Sequence, residues 1–164
     1  MTFARRWTVI GLAVLAPLFF VACGGSKATT KTPCSSGAWL HIPLDSSVAA
    51  MTQPTITVCR NGACYPWAPQ PLPTTGSGGT EEAIPAGTTT DSIKGTFWRN
   101  ADGTVTLDIE WWVTDPTVLV DGDRYQVTLA DGTDPATTIL DKSATYAASG
   151  PSGGPTCPQA TLSP

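Results

Sequence analysis

His41 is the sole histidine in the 164 residues, so any Ser-His-Asp or Cys-His catalytic arrangement has to use it. Asp45 follows closely in sequence, but no nucleophile-elbow motif accompanies the pair. Asp108 and Glu110 alternate along one run and therefore project side by side from one face of a strand. Glycoside hydrolysis needs its two carboxylates on either side of the scissile bond. A solvated sheet face, with Lys94 opposite Glu110, suits these residues better. Asp121, Asp123 and Asp131, with Asp115 and Asp134, fall in turns around Val120–Leu129. Loop carboxylates of this kind hold calcium in some extracellular domains. Aspartate in a turn more commonly accepts backbone amides, so no metal is assigned. No motif asks for a cofactor, and the chain reads as non-catalytic.

The cysteines offer a second chemistry. Cys59 and Cys64 bracket Arg-Asn-Gly-Ala, a spacing that suggests a metal knuckle, a redox dithiol or a staple across a turn. A structural zinc site needs about four Cys/His ligands, and only one histidine exists. Thioredoxin-type redox pairs use Cys-x-x-Cys at a helix start. Asn-Gly, by contrast, is the strongest two-residue hairpin signal, because a type I′ turn needs positive φ at both central positions. With Asn61 and Gly62 in the turn, Arg60 faces Ala63 and Cys59 faces Cys64 across a non-hydrogen-bonded pair. Such a pair has Cα atoms about 4.5 Å apart, within disulfide reach. Once Cys23 is set aside for the lipid that its lipobox-like segment, described below, implies, Cys34 is left to pair with Cys157, closing a loop of about 120 residues. The chain-entropy account gives that bridge about 5 kcal/mol and the hairpin bridge about 2.

Tryptophan is the third candidate chemistry. Trp111 belongs to a core face by alternation, whereas Trp98 and Trp112 belong to the opposite face and Trp67 lies in a Pro-rich stretch. Exposed indoles stack on sugar rings or anchor a partner protein. The competing expectation, which is favoured, is that the long loop after Pro66 folds over that face and buries them.

The elements that must position these residues are strands. Thr, Gly, Pro and Ser are abundant, no segment sustains a 3.6-residue apolar period, and short alternating runs recur between turn residues. Residues 38–44 read as a first strand, placed at an edge by Pro43. Thr55–Val58 leads into the stapled hairpin, whose return strand Pro66 should stop. Residues 66–90 form a Pro/Gly/Thr-rich connection, long for a compact domain. In residues 92–113 the apolar faces coincide only if Asn100 pairs with Thr104. That leaves Ala101-Asp102-Gly103 as the loop, with Gly103 in the left-handed position. Phe97 then faces Leu107, and Gly95 makes room beside Ile109. Residues 120–129 supply a strand carrying Tyr125, Val127 and Leu129. A last strand runs from Thr138 to Tyr146, ahead of a Gly/Pro tail containing Cys157.

Location is written in the first residues. Arg5 and Arg6 precede an apolar run, Trp7–Phe20, too short to span a bilayer comfortably, so residues 1–22 read as a signal peptide. The run closes on Phe-Val-Ala-Cys-Gly, which resembles the lipobox of bacterial lipoproteins. That resemblance implies cleavage before Cys23, lipidation of its sulfur and two or three acyl chains, enough for stable membrane anchoring. Residues 23–33 then form the lipidated cysteine and a flexible tether, whose nine residues Gly24–Thr32 have an r.m.s. span of about 15–18 Å. Gly24 is not the aspartate that commonly retains lipoproteins at an inner membrane, which favours the outer membrane where the host has one.

Cleavage leaves 142 residues, enough for one core, with 7 of the 9 Lys/Arg against 13 Asp/Glu and a side-chain charge of −6. No basic patch survives, so nucleic acid is a poor partner. "DGDRYQVTL" resembles the tyrosine corner of immunoglobulin-like sandwiches, where a tyrosine hydroxyl bonds nearby backbone. Together "VCRNGAC", "GDRYQVTL" and "PSGGPTCPQA" resemble small bacterial lipoproteins of unknown function with an immunoglobulin-like domain. The resemblance implies an all-β, antiparallel, disulfide-stapled sandwich over residues 34–164 and no activity. The expected function is a non-catalytic, lipid-anchored envelope or surface protein contacting an envelope protein or polysaccharide. A carbohydrate-binding module using Trp98, Trp112 and Trp67 is the alternative, and an envelope hydrolase ranks third.

Overall fold

The computed structural model describes residues 35–84, 91–150 and 157–164. The expected signal peptide (1–22), lipidated Cys23, the tether through residue 33, and Cys34 lie outside the described residues.

Ten strands carry the chain: β1 (Ser36–Leu44), β2 (Pro54–Arg60), β3 (Ala63–Trp67), β4 (Gly78–Ile84), β5 (Ser92–Arg99), β6 (Val105–Val113), β7 (Arg124–Asp131), β8 (Thr137–Ser143), β9 (Ala147–Ser149) and β10 (Cys157–Leu162). Among the described residues the only helical segments are two short 3-10 turns, Ser46–Ala50 and Pro116–Val118. A six-stranded sheet runs β4-β5-β6-β1-β10-β9, and a four-stranded sheet runs β3-β2-β7-β8. Every pair is antiparallel except β1 with β10. The fold is an all-β sandwich with one continuous apolar core drawn from both sheets.

Trp111 on β6 is the hub of that core. It is buried, and the rings of Tyr65 on β3 and Tyr125 on β7 meet it edge-on at 5.5 and 5.8 Å. Edge-to-face geometry lets the positive edge of one ring meet the negative face of the other. A second bridge joins Trp67 on β3 to Gly95 on β5. A Cβ on Gly95 would lie 2.4 Å from the Trp67 ring, so only glycine admits the indole there. Gly95 thus makes room for the opposite sheet, in addition to sitting across from Ile109.

Both hairpins take the register that their turn residues demand. In β2–β3, Arg60 faces Ala63 and Cys59 faces Cys64, with positive φ at Asn61 (51°) and Gly62 (84°). The two cysteines form a disulfide with Cα atoms 4.1 Å apart. Cys157 is also disulfide-bonded. In β5–β6, the Asn100 N–H donates to the Thr104 carbonyl at 2.8 Å, and Gly103 has φ 86°. Phe97 faces Leu107, Lys94 faces Glu110 and Trp98 faces Thr106.

Four expectations give way. β1 is not an edge strand: it lies between β6 and β10, and Pro43 stands beyond Leu40, the last residue registered with β10. Pro66 does not stop β3, which is itself the sheet edge and tolerates a missing N–H. The stretch after Pro66 contributes β4, an added edge strand on β5. The chain past Tyr146 is not a plain tail, because β9 and β10 extend the larger sheet and Ala160 and Leu162 enter the core.

Candidate functional site

Two groups of polar and aromatic side chains stand apart from the apolar core. The first is buried at one end of the smaller sheet. The Asp123 carboxylate accepts from Arg60 Nε (3.1 Å) and Nη2 (2.6 Å), Asn61 Nδ2 (2.7 Å), the Val120 N–H (3.3 Å) and the Tyr146 hydroxyl (3.0 Å). Arg60 Nη2 also donates to the Val118 carbonyl at 2.5 Å. The type I′ turn places both Arg60 and Asn61 here, since Asn61 additionally exchanges hydrogen bonds with the Arg124 backbone. Burial pushes the Asp123 carboxyl up, but the donors from Asn61, Arg60, Val120 and Tyr146 outweigh it and hold it below the ordinary carboxylate value. Burial raises the Tyr125 and Tyr146 hydroxyls, and their shared 2.8 Å bond runs from Tyr125 to Tyr146 and on to Asp123.

This arrangement corrects one reading. The Tyr125 hydroxyl reaches another side chain and not nearby backbone, because Asp123 has drawn Tyr146 within its reach. Two of the turn aspartates accept backbone amides from distant parts of the chain. Asp121 accepts from the Tyr146 N–H, and Asp131 accepts from the Thr52 and Gln53 N–H groups. Among the described residues no three His, Cys, Asp or Glu side chains converge to hold a metal ion.

The second group lines the outer face of the six-stranded sheet. Alternation sends Trp39, His41, Thr96, Trp98, Asp108, Glu110 and Trp112 to this side, while Leu40, Phe97, Ile109 and Trp111 go to the core. His41 pairs with Asp108 across β1–β6, Nδ1 to Oδ1 at 2.6 Å. Trp39 faces Glu110, whose carboxylate accepts from Trp112 Nε1 at 3.1 Å. Lys94 sits opposite Glu110 in register, yet its ion pair is with Glu81 on β4, 2.7 Å away. An open depression bounded by Trp39, His41, Asp108, Thr161 and Ser163 lies on this face.

The candidate residues therefore separate. Trp67 is no surface ligand: it is buried, with its Nε1 donating to Glu82 at 2.8 Å. Trp98 is 40% exposed and Trp112 half-buried. The described part of the long loop does not bury Trp98, and Gly78–Ile84 within it forms an edge strand alongside β5. Trp39, 48% exposed, is the missed residue. Alternation from Ala38 to Leu44 was sufficient to put it on the outer face, but its neighbours on β6 and β10 are contributed from far along the chain.

No protein-family model, curated protein or solved structure matches this chain. Functional inference therefore rests on the face itself.

Proposed function

We propose that this is a non-catalytic, lipid-anchored envelope protein that binds a component of its own envelope through the outer face of the six-stranded sheet. One observation carries the reading. The domain buries Trp67 and Trp111 to 4% and 1% exposure but leaves Trp39 and Trp98 at 48% and 40%, and Trp112 half-buried, on a single face. A large indole left in water forgoes burial worth about 1.5–3 kcal/mol, so several on one face suggest a partner. The lipobox-like segment ending at Cys23 supports anchoring, and the 13 Asp/Glu against 9 Lys/Arg argue against nucleic acid. His41 and Asp108 bond to each other without a recognisable nucleophile motif, which favours recognition over hydrolysis.

Two measurements test this. Labelled palmitate should enter the full chain and not a Cys23→Ala variant. After extraction of native envelopes with a zwitterionic detergent, which removes proteins held by lipid alone, wild type should stay with the insoluble wall. A Trp39→Ala, Trp112→Ala double variant should leave with the detergent. Release of both proteins alike contradicts binding through this face.

A further inference from the structure

We infer that the outer face is a platform for a neutral polysaccharide, gripped by the neighbouring indoles of Trp39 and Trp112; this deepens, and rests on, the reading just given. The argument begins with strand register. Trp39 faces Glu110, which makes Trp112 its diagonal neighbour across β1–β6, at about 7–8 Å between backbones. Gly37 faces Trp112, and a Cβ there would lie 2.9 Å from Trp112 Cε3. The Trp112 ring thus packs close against Gly37, and its Nε1 donates to the Glu110 carboxylate. The result is a fixed ring beside a more exposed one on an open sheet face.

Pyranose rings present apolar C–H faces flanked by hydroxyls, which matches an indole face edged by hydrogen-bonding groups. Glu110, the His41–Asp108 pair and Thr161, opposite Trp39 on β10, supply that edge. Charge selects among sugars. Glu81, Asp108 and Glu110 share this face with Lys94 and His41, and Lys94 is already engaged by Glu81. Carboxylates accept from sugar hydroxyls but repel uronate and phosphate, so the occupant is a neutral glycan and not an acidic one. Trp98 belongs to another part of the face. It stands opposite Thr106, whose β1 partner Pro43 is four residues along from Trp39. It is therefore peripheral, in contrast to its leading place in the sequence reading.

The test uses the full chain in a zwitterionic detergent, so that no sugar headgroup competes. Tryptophan fluorescence is titrated with cellohexaose, chitohexaose and mannan, and with polygalacturonate and hyaluronate as acidic probes. At least one neutral glycan should bind, with the acidic ones absent or weaker. Trp39→Ala and Trp112→Ala should each weaken it by about tenfold or more, and Trp98→Ala by less than about twofold. Trp39→Ala alters an exposed side chain and leaves the core intact, so its loss of binding cannot be ascribed to misfolding when its melt matches wild type. Preference for the acidic probes, or indifference to Trp39→Ala, overturns the proposal. Absence of all glycan binding overturns it too. If the wall-retention effect persists in that last case, the binding face stands and only the glycan is wrong. If neither effect appears, both readings fall.

Discussion

The Asp123 cluster and the outer face of the six-stranded sheet are built from the same kinds of residue, and they differ in what is left over. Around Asp123, five donors converge on one carboxylate, and the acceptor, the guanidinium and both tyrosine hydroxyls are engaged within the domain. On the sheet face, His41 and Asp108 bond only across one strand pair, and Trp39 turns half its surface to water. Saturated polar groups under cover define a fold. Similar groups spread over an open sheet, with indoles between them, are the surface we propose for recognition.

The sharpest way to break this contrast is to remove Asp123. Asp123→Ala leaves the Arg60 guanidinium, 10% exposed at the side chain, with no carboxylate partner. Loss of one partner of a buried pair costs about 3–5 kcal/mol, which urea unfolding should register. His41→Ala on the open face should cost less than about 1 kcal/mol by the same method. Equal costs would erase the distinction.

Next in size is Gly95→Ala, which drives a methyl group into Trp67 and should destabilise by about 1–3 kcal/mol. Replacing Gly103, whose Cβ direction meets nothing within 4 Å, tests backbone conformation alone and should cost less, on the order of 1 kcal/mol.

Smaller effects come from pH. The Asp123 carboxyl is held below its ordinary value, so its contribution is present above the unfolded value of about 3.9 and is lost as pH falls through the folded one. Asp123→Asn should therefore flatten the acid limb of the stability curve. Tyr146 is shifted upward, so its contribution is complete below the unfolded value of about 10 and declines as pH rises beyond it. Tyr146→Phe should flatten the alkaline limb. Smallest of all, Trp98→Ala should change the melt by no more than about 0.5 kcal/mol, as for other surface substitutions.

How much of this was written locally in the chain follows from where each feature gets its partners. Asn61-Gly62 and Ala101-Asp102-Gly103 carry their own turn chemistry, and the flanking alternation has one register that buries all of its apolar residues. The Cys59–Cys64 bridge was therefore readable, as was the opposition of Phe97 and Leu107. β4, with its run of Gly, Thr and Glu, is a strand because β5 offers it an edge. β10 has only Ala160 and Leu162 as regular apolar signals, and its parallel partner β1 lies more than a hundred residues away. The fit of Trp67 against Gly95 joins two sheets, which no strand pattern encodes. At the candidate face, outward alternation of Asp108, Glu110 and Trp112 was legible. The pairings of His41 with Asp108 and of Trp39 with Glu110 required β1 to dock on β6, and Pro43 pointed to an edge instead.

Trp39 bears most directly on the division between scaffold and surface. The decisive measurement is the paired thermal melt and wall retention of the full-length Trp39→Ala, Trp112→Ala variant against wild type. A melt within a few degrees of wild type, together with loss of retention, is the predicted result. Retention that survives in a variant with a matching melt would contradict the account, because the open face would then be doing nothing the buried cluster does not.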